Sequence, residues 1–343
     1  MKKHNVLITG CGRYFMKNFV LDASDGSDYD VDVFGADMSP DGRLSKYLKM
    51  YFKTYSAEDE RYFPQLLEIC KENRIDVLIP TLDAELLAIS QNKHIFDTIG
   101  CKIAICSPKT LKIVADKVEL SRFLATTTIL APHTEVISDE DDFKRVNGLF
   151  GDRFVIKIAG KAGSRGVRVV DRNLDDYDDF ANNKMTFRPI SFAQAVRIVR
   201  GKPDGVEMIV QEYLEGNEYS VNLVADDGNV VAISGKENID VVNSTPIRSV
   251  SKIDEVAFAE SKMLSKMLHF NGNVGIDFIY HNGAPYLTEI NPRTTATMGL
   301  DAVAGINTVR IGIDVALGMK KDYSSLKFVP GKVMEAITFE QYR

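Results

Sequence analysis

Residues 273–293 read NVGIDFIYHNGAPYLTEINPR, the pattern of two β-strands joined by a tight turn. Asn282-Gly283 separates two runs rich in β-branched and aromatic residues, which is a strong short-range signal for a hairpin. A three-residue loop that includes Ala284 would place Asp277 directly opposite Glu289 on the neighbouring strand. A two-residue loop would shift the register by one residue and put the two carboxylates on opposite faces.

The two facing acids of this hairpin indicate a metal site. Buried carboxylates that oppose each other need a cation between them, or one of them must take up a proton. Asn291 lies two residues beyond Glu289 and therefore on the same face of the strand. Oxygen atoms from Asp277, Glu289 and Asn291 suit Mg²⁺, which completes its coordination shell with water and phosphate oxygens. The alternative is that Asp277 and Glu289 are ordinary surface charges in solvent.

The bulk composition of the 343 residues is that of a soluble globular protein with two or three subdomains. The formal net charge of -6 gives no sign of nucleic-acid or membrane-surface binding. No apolar run reaches transmembrane length and no signal-peptide pattern precedes the first strand, so we expect a cytoplasmic protein. The cysteine spacing matches no zinc or redox motif, and we expect reduced, mostly buried thiols rather than a disulfide between Cys101 and Cys106. The cysteines are Cys11, Cys70, Cys101 and Cys106.

The first hundred or so residues alternate strand and helix, which predicts a doubly wound, mostly parallel sheet. Strands are expected at residues 5–10, 30–37, 75–80 and 102–105, and a helix at 61–73. The turn Gly10-Cys11-Gly12 resembles the start of a dinucleotide-binding loop, but Phe15 stands where a third glycine would allow close helix packing. The hypothesis of a nicotinamide-dependent oxidoreductase rests on this turn alone. The favoured interpretation is a structural α/β turn.

A strand with a single lysine, Lys157, leads into a glycine-rich loop at residues 163–167. Glycines at 163 and 166 allow a tight turn that directs backbone N–H groups at an anion. No Gly-Lys-Ser/Thr opens a helix and strands are expected on both sides, so the loop is not a Walker loop. It predicts a flap over phosphates with Lys157 as a point charge beneath them. The alternative is a plain hairpin turn with a solvated lysine.

Residues 207–221 form an apolar strand, a short connector, a turn at Gly216 and a second strand. A flat apolar slot beside such a connector would suit adenine, with backbone groups reading its edge and an acid binding the ribose hydroxyls. The alternative is an edge strand with solvated glutamates. Helices are also predicted at residues 109–125 and 191–200.

In this order, the segments resemble the ATP-grasp superfamily over most of the chain, in particular the carbamoyl-phosphate-synthase large-subunit type. The resemblance rests on Ala115-Asp116-Lys117, Lys157 with residues 163–167, residues 210–216, and Asp277 with residues 289–293. It implies an α/β fold in which an N-terminal doubly wound pre-ATP-grasp domain, residues 1–108, precedes an ATP-grasp domain, residues 109–320. The ATP-grasp domain would be two-lobed, α+β and built on antiparallel sheets, with a smaller lobe at about 125–213. Residues 321–343 would form a tail.

The resemblance also implies a role for each matching residue. The ATP phosphates would be bound by Lys117 and Lys157 and covered by the flap of Gly163, Ser164, Arg165, Gly166 and Val167. The nucleoside would be bound by Gln211, Glu212, Tyr213, Leu214 and Glu218. One or two Mg²⁺ ions, with Mn²⁺ as a substitute, would be bound by Asp277, Glu289 and Asn291. The catalytic residues would be Arg293, which stabilises charge on the transferred phosphoryl group, and Lys157.

The implied reaction is attack by a substrate carboxylate on the γ-phosphate of ATP, which releases ADP and leaves an acyl-phosphate. An amine or similar nucleophile then displaces phosphate. The expected partners are small-molecule carboxylates and amines, and a homodimer is left open. One alternative is a subunit that phosphorylates bicarbonate or carbamate and needs a separate ammonia-supplying partner. Another alternative is a catalytically silent nucleotide-binding regulatory protein. The intact metal-binding and phosphate-binding positions argue against it.

The chain departs from the family pattern at several positions. Ile158 stands where proline is common after the strand lysine, and residues 177–203 form a longer segment with no assigned role. Residues 294–298 replace the glycines with which many ligases bind the acceptor, so acceptor chemistry is not carried over.

Substrate contacts are expected from residues on strands near the site, with simple surface charges as the alternative for Lys236 and Arg248. These candidates are Lys236, Ser244, Arg248 and Arg293. Thr81, Asp83 and Glu85 lie where open α/β sheets bind ligands. Helix capping by Thr81 or Asp83 is the favoured interpretation there.

Overall fold

The computed structural model describes residues 2–13, 15–26, 28–39, 44–160, 166–176, 179, 189–242 and 245–337. The N-terminal strands are β1 (Lys3–Thr9), β2 (Asp30–Asp37), β3 (Met50–Lys53) and β4 (Val77–Ile79). They form a parallel sheet in the order β3-β2-β1-β4. The helices of this part are α1 (Met16–Ser24), α2 (Tyr62–Glu72), α3 (Asp83–Gln91) and α4 (Lys93–Thr98). The predicted doubly wound sheet is confirmed.

Two strand assignments from the sequence differ from this sheet. β3 was not predicted, because a four-residue edge strand is too short for periodicity to identify. The predicted strand at residues 102–105 is wrong, since only Lys102 forms an isolated bridge, to Val77. Ile103 and Ile105 are apolar because they are buried in the core, not because they belong to a ladder. The cysteines are buried and free, as expected.

The single helix predicted at residues 109–125 is two helices, α5 (Pro108–Ala115) and α6 (Lys117–Leu124). The chain is extended at Asp116, whose carboxylate accepts hydrogen bonds from the backbone N–H groups of Val118 (2.8 Å) and Glu119 (3.1 Å). Such a side chain satisfies N–H groups that the first turn leaves without partners. The cap therefore fixes Lys117 as the first residue of α6.

The small sheet contains β5 (Thr134–Ile137), β6 (Arg153–Ile158), β7 (Val167–Asp171), β8 (Ile190–Ser191) and β9 (Met208–Glu212). Their order is β5-β9-β6-β7-β8, and β6 pairs antiparallel with β7. Helices α7 (Glu140–Val146) and α8 (Phe192–Arg200) pack on it through an aromatic cluster that includes Phe143, Phe154 and Phe192. The glycine-rich loop thus joins two hairpin strands, although its residues 161–165 lie outside the described residues.

The large sheet contains β10 (Asn217–Asp226), β11 (Asn229–Val242), β12 (Thr245–Ser251), β13 (Gly272–His281), β14 (Ala284–Asn291) and β15 (Val333–Glu335). The order is β14-β13-β10-β11-β12-β15, with antiparallel neighbours throughout. Helices α9 (Glu255–Leu268), α10 (Gly299–Val303) and α11 (Thr308–Ala316) complete this lobe. One buried cluster joins Leu7 and Phe34 of the N-terminal sheet to Val221 and Ile276 of the large sheet, so the domains share a core. Within the described ranges, none of the helices has the length and apolar character that a bilayer crossing requires.

The β13–β14 hairpin turns through two residues, not three. Asn282 (φ 51°) and Gly283 (φ 81°) both adopt the left-handed conformation, and His281 pairs with Ala284. This is the backbone that Asn-Gly favours in a two-residue turn. The predicted three-residue loop is therefore wrong.

The predicted cross-strand pairing of Asp277 with Glu289 is nevertheless confirmed, because a β-bulge shifts the strand register by one residue. The ladder shifts between Phe278, which pairs with Leu287, and Asp277, which pairs with Glu289. Thr288 is the extra residue, and its hydroxyl donates a hydrogen bond to the Asp277 carbonyl at 3.0 Å. One inserted residue reverses the face of every following side chain, which offsets the one-residue difference in the turn.

Candidate active site

A cleft of about 310 Å³, here the central cleft, separates the small sheet from the large sheet. Val155 and Val169 line it from β6 and β7, and Ile279 lines it from β13. Leu214, buried just beyond the end of β9, and Val167 of the predicted flap also line it. These side chains form an apolar slot that suits a flat ring.

Two of the predicted lysines, Lys117 and Lys157, line the same cleft. The Lys157 ammonium donates a hydrogen bond to the Gln211 side-chain oxygen at 2.6 Å, and the Gln211 amide donates to the Thr134 hydroxyl at 2.9 Å. Gln211 therefore holds the lysine in place. Burial lowers the pKa of Lys157 to about 8, with a further lowering by Lys117 that Glu289 opposes.

The segment after β9 crosses from the small sheet to the large sheet. The Glu212 N–H donates to the His133 carbonyl at 2.8 Å, and the His133 N–H donates to the Glu212 carboxylate at 3.2 Å. Glu212 is thus tied to the neighbouring chain, whereas Tyr213 follows the last ladder residue and lines the cleft. Gly216 is required here, because a Cβ would lie 1.8 Å from the Tyr280 carbonyl oxygen.

Asp277 and Glu289 form an acidic end of the central cleft. The Ser220 hydroxyl donates to one Asp277 oxygen at 2.6 Å, and the Asn291 amide donates to the other at 3.0 Å. Burial raises the pKa of Asp277. Burial and the charge of Asp277 raise the pKa of Glu289, an effect that Lys117 and Lys157 partly offset.

This donor set fits Mg²⁺. The cost of keeping two facing carboxylates ionised in a buried site is removed by a divalent cation between them. In the described part of the chain, no three or more His, Cys, Asp and Glu side chains are grouped so that they could hold a metal. An ion at Asp277 and Glu289 would therefore take most of its ligands from water and phosphate, as Mg²⁺ usually does.

Arg293 is held by an acid of the N-terminal domain. Its Nε and Nη2 groups donate to the two oxygens of Asp83 at 2.6 and 2.8 Å, and its side chain is only 14% exposed. Burial acts to lower the pKa of Arg293, but Asp83 and the neighbouring acids Glu289 and Asp277 raise it. The guanidinium is thus permanently charged and fixed beside the acidic pair.

The cap of α3 differs from the expected one. The backbone N–H groups of Thr81 and Leu82 both donate to one Glu85 oxygen at 2.9 Å, and the Thr81 hydroxyl donates to the Thr9 carbonyl at 2.8 Å. Capping by Thr81 or Asp83 is therefore wrong. Glu85 satisfies the helix start, which leaves Asp83 to bind Arg293.

The remaining predicted residues lie at different depths. Glu218 of β10 lines the central cleft. Lys236 is buried beneath it, 3.8 Å from Asp301, and donates to the Thr297 carbonyl at 3.4 Å. Arg248 lies on the surface beside Asp240 (3.8 Å) and Glu335 (3.5 Å), and it does not line the central cleft. Gly166 (φ 72°) is described, whereas Gly163, Ser164, Arg165 and Ser244 lie outside the described residues.

Two smaller cavities adjoin the central cleft at Glu289, which lines all three. The first, here the polar cavity, measures about 170 Å³ and is lined by groups such as Asn238, Arg293, Thr295 and Thr297. The second, here the apolar cavity, measures about 240 Å³ and lies between α3, α5, α6 and β14. Sequence reasoning missed both. One sequence signal for the polar cavity is the alternation of polar residues along β11, which indicates a polar inward face. These residues are Ser234, Lys236 and Asn238.

Comparison with known proteins identifies this arrangement. Residues 6–104 match a family model described as the PylC-like N-terminal domain, and residues 204–338 match one described as ATP-grasp in the biosynthetic pathway with Ter operon. The chain has the ATP-grasp fold. The hairpin acids, the cleft lysines and the crossing segment therefore lie on an ATP-grasp scaffold, and the predicted resemblance is confirmed.

Similar proteins include ligases and carboxylases. The carbamoyl phosphate synthase large chain of Thermoanaerobacter pseudethanolicus is 26% identical over 230 residues, which are 64% of this chain and 20% of that protein. The chain thus spans about a fifth of the length of the relatives that it matches.

Solved structures with a similar fold include a synthetase and a carboxylase. N5-carboxyaminoimidazole synthetase from Staphylococcus aureus, complexed with ADP, matches with a TM-score of 0.71 and 16% identity over 98% of this chain and 83% of its own. The biotin carboxylase domain dimer of Hydrogenobacter thermophilus 2-oxoglutarate carboxylase, with ADP, magnesium and bicarbonate, has a TM-score of 0.67 and 15% identity. It covers 94% of this chain and 72% of its own.

Proposed function

We propose that this chain is an ATP- and Mg²⁺-dependent ligase that activates a small-molecule carboxylate as an acyl-phosphate and couples it to an amine. The observation that carries the proposal is one cleft with an apolar slot, two lysines and a pair of facing buried acids. Those three parts match the base, the phosphates and the metal-bound phosphate oxygens of a nucleotide. The additional cavities at Glu289 provide room for two further reactants.

Each part of the cleft has a task in this reaction. Val155, Leu214 and Ile279 enclose the adenine, and Lys117 and Lys157 neutralise the phosphates. Asp277 and Glu289, with Asn291, would hold Mg²⁺, whose charge would draw negative charge from the phosphates and help to orient them. Positioning and charge neutralisation are what phosphoryl transfer requires of a protein.

The proposed reaction has two chemical steps and needs no reactant other than ATP, the carboxylate and the amine. A carboxylate oxygen attacks the γ-phosphorus, the bond to the β-phosphate oxygen breaks, and ADP leaves with the electron pair. The amine nitrogen then attacks the acyl carbon, phosphate leaves, and the proton of the amine passes to the departing phosphate. Arg293, fixed by Asp83, faces the polar cavity, where its charge orients the carboxylate and stabilises the transferred group.

A second candidate is a subunit that phosphorylates bicarbonate or carbamate with ammonia from a partner protein. The similarity to carbamoyl phosphate synthase large chains favours it. The small volume of the polar cavity, about 170 Å³, is also compatible with bicarbonate. Formation of an amide from a carboxylate and an amine by the purified chain alone would exclude this candidate.

The proposal is tested by a screen of carboxylates paired with amines, assayed for ADP and phosphate. We expect ADP and phosphate, and AMP with pyrophosphate would overturn the acyl-phosphate mechanism. Glu289→Gln should lower kcat about 100-fold or more, since a metal ion supplies several kcal/mol of transition-state stabilisation. Glu237→Gln, on β11 and paired with Lys252, is the matched control and should keep its activity. Near-normal turnover by Glu289→Gln would remove the hairpin from the mechanism.

A further inference from the structure

The apolar cavity is enclosed by hydrophobic side chains from three helices. Leu86 of α3, Leu111 and Val114 of α5 and Leu120 of α6 are all buried, and Leu87 of α3 lies at its edge. With a volume of about 240 Å³, it has room for a small organic molecule. Apolar walls favour a ligand with an apolar body, because the affinity increases about fourfold for each methylene group removed from water.

This cavity opens onto the reaction centre. Lys117, Thr288 and Glu289 line both the apolar cavity and the central cleft. A molecule with its body among the leucines would therefore present one end beside the acids and lysines that face the nucleotide. The cavity is part of the site, not an isolated void in the core.

The polar cavity on the other side of Glu289 has different chemistry. Its lining includes Arg293, Asn238 and several threonines, together with the acids Glu218, Asp277 and Glu289, and its largest apolar members are Pro246 and Ala296. Arg293 lines the polar cavity and does not line the apolar one. The polar cavity therefore contains the guanidinium that can orient a carboxylate for attack on phosphorus, and Mg²⁺ at Asp277 and Glu289 would offset the charge of the acids.

The surroundings of the apolar cavity favour a neutral amine at its inner end. Asp83 is paired with Arg293, and the inner end contains both the Glu289 carboxylate and the Lys117 side chain, so its charges are balanced. The exposed side chains Glu58 and Lys112 have opposite charges and mark its solvent side. Burial among apolar side chains favours the neutral form of an amine, which is the form that attacks an acyl carbon. A carboxylate or other polar group at the far end of the molecule can be solvated at the mouth.

We infer that the apolar cavity binds the amine substrate, and that this substrate is a primary amine with an apolar body, such as an amino acid with a leucine-sized side chain. The inference rests on the proposed ligase function. The polar cavity binds the carboxylate that is phosphorylated. The two reactants thus meet at Glu289 from opposite sides.

A homologous series of n-alkylamines, from ethylamine to hexylamine, tests this assignment with the whole chain saturated with MgADP. Binding measured by ligand-observed NMR should strengthen about fourfold per methylene and then level off when the cavity is full. Ethanolamine, which is small and polar, should bind no better than ethylamine. Affinity that does not depend on chain length would overturn the inference.

Two pairs of variants locate the binding. Ala84→Phe fills the cavity from an exposed position on α3, and Ala88→Phe is its control one turn away, outside the lining. Leu87→Gln makes the edge polar, and Leu21→Gln on α1 is its exposed counterpart. We expect the two cavity variants to weaken pentylamine binding about tenfold or more and the controls to leave it unchanged. Unchanged binding in Ala84→Phe, or equal losses in the controls, would overturn the inference.

A separate readout distinguishes this inference from the ligase proposal. Hydroxylamine traps an acyl-phosphate as a hydroxamate and needs no room in the apolar cavity. Ala84→Phe should form hydroxamate at the wild-type rate while its KM for the amine rises. If wild-type protein forms neither ADP nor hydroxamate with any carboxylate, the ligase proposal fails, whereas the alkylamine series still decides what the cavity binds.

Discussion

The charge of Lys157 is expected to control how nucleotide binding depends on pH. Burial lowers its pKa to about 8, and only the ammonium form attracts phosphate. Below this pH the unliganded protein already has the charge and binds with full affinity. As the pH rises above it, binding must include proton uptake, so the Kd for MgADP increases by about tenfold per pH unit at most.

Calorimetric titration with MgADP between about pH 7 and 9.5 measures this effect. Lys157→Arg is the control, because a guanidinium stays charged throughout this range and its profile should be flat. A wild-type Kd that is constant over the same range would contradict the assigned role of Lys157.

Lys236 illustrates what sequence can and cannot predict about one side chain. Its position on β11 follows from the strand pattern, and the alternation places it on the inward face. Its ion pair with Asp301, however, depends on the packing of α10 against the sheet, which no local pattern contains. The sequence therefore suggested substrate contact or solvent, whereas the structure buries the ammonium beneath the site.

At the scale of elements, the β13–β14 turn should be sensitive to side chains at Gly283. Its φ of 81° is in the left-handed region, and no atom lies within 4 Å of the added Cβ, so only backbone strain is introduced. Gly283→Ala should lower the free energy of unfolding by about 1 kcal/mol. Urea denaturation measures the change, and Gly148→Ala, also in open space but without positive φ, should be nearly neutral. Equal stability of the two variants would contradict a strained two-residue turn.

The same hairpin shows which part of an element is encoded locally. Asn282-Gly283 and the flanking strands were predictable, because turn chemistry and β-propensity act over a few residues. The bulge at Thr288 was not, since it lies inside a run that reads as a regular strand. The two acids were placed correctly only because the wrong loop length and the missed bulge each shift the register by one residue.

For the whole molecule, the ion pair between Asp83 and Arg293 is a contact that links the N-terminal part of the chain to the candidate site. The two residues are 210 positions apart, so neither a motif nor a periodicity could have predicted their pairing. Many of the helices and strands were predictable from local patterns, but β3, the break at Asp116 and the bulge at Thr288 were not. The cavities and this pair arise from packing between elements that are distant in sequence. The N-terminal part of the chain thus contributes to the candidate active site through Asp83.

Loss of the Asp83 carboxylate should therefore impair the chemical step more than nucleotide binding. In Asp83→Asn, Arg293 loses its bidentate acceptor and is drawn toward Asp277 and Glu289, the nearby acids that also raise its pKa. We expect kcat to fall about 10- to 100-fold, because a small displacement of a catalytic group has a cost of this size. The Kd for MgADP should change by only about twofold, since Asp83 does not line the central cleft.

The controls separate this positioning role from a general loss of stability. The pair is partly buried, with 34% of the Asp83 side chain exposed, so its loss should cost less than the roughly 3–5 kcal/mol of a fully buried pair. The unfolding free energy of Asp83→Asn must therefore be measured together with its kinetics. Asp97→Asn breaks the exposed pair with Lys102 in the same domain and should leave kcat unchanged. Asp83→Glu, which keeps a carboxylate, should recover part of kcat. If Asp83→Asn remains folded and turns over at the wild-type rate, the N-terminal domain does not position Arg293, and the guanidinium is fixed by the large sheet alone.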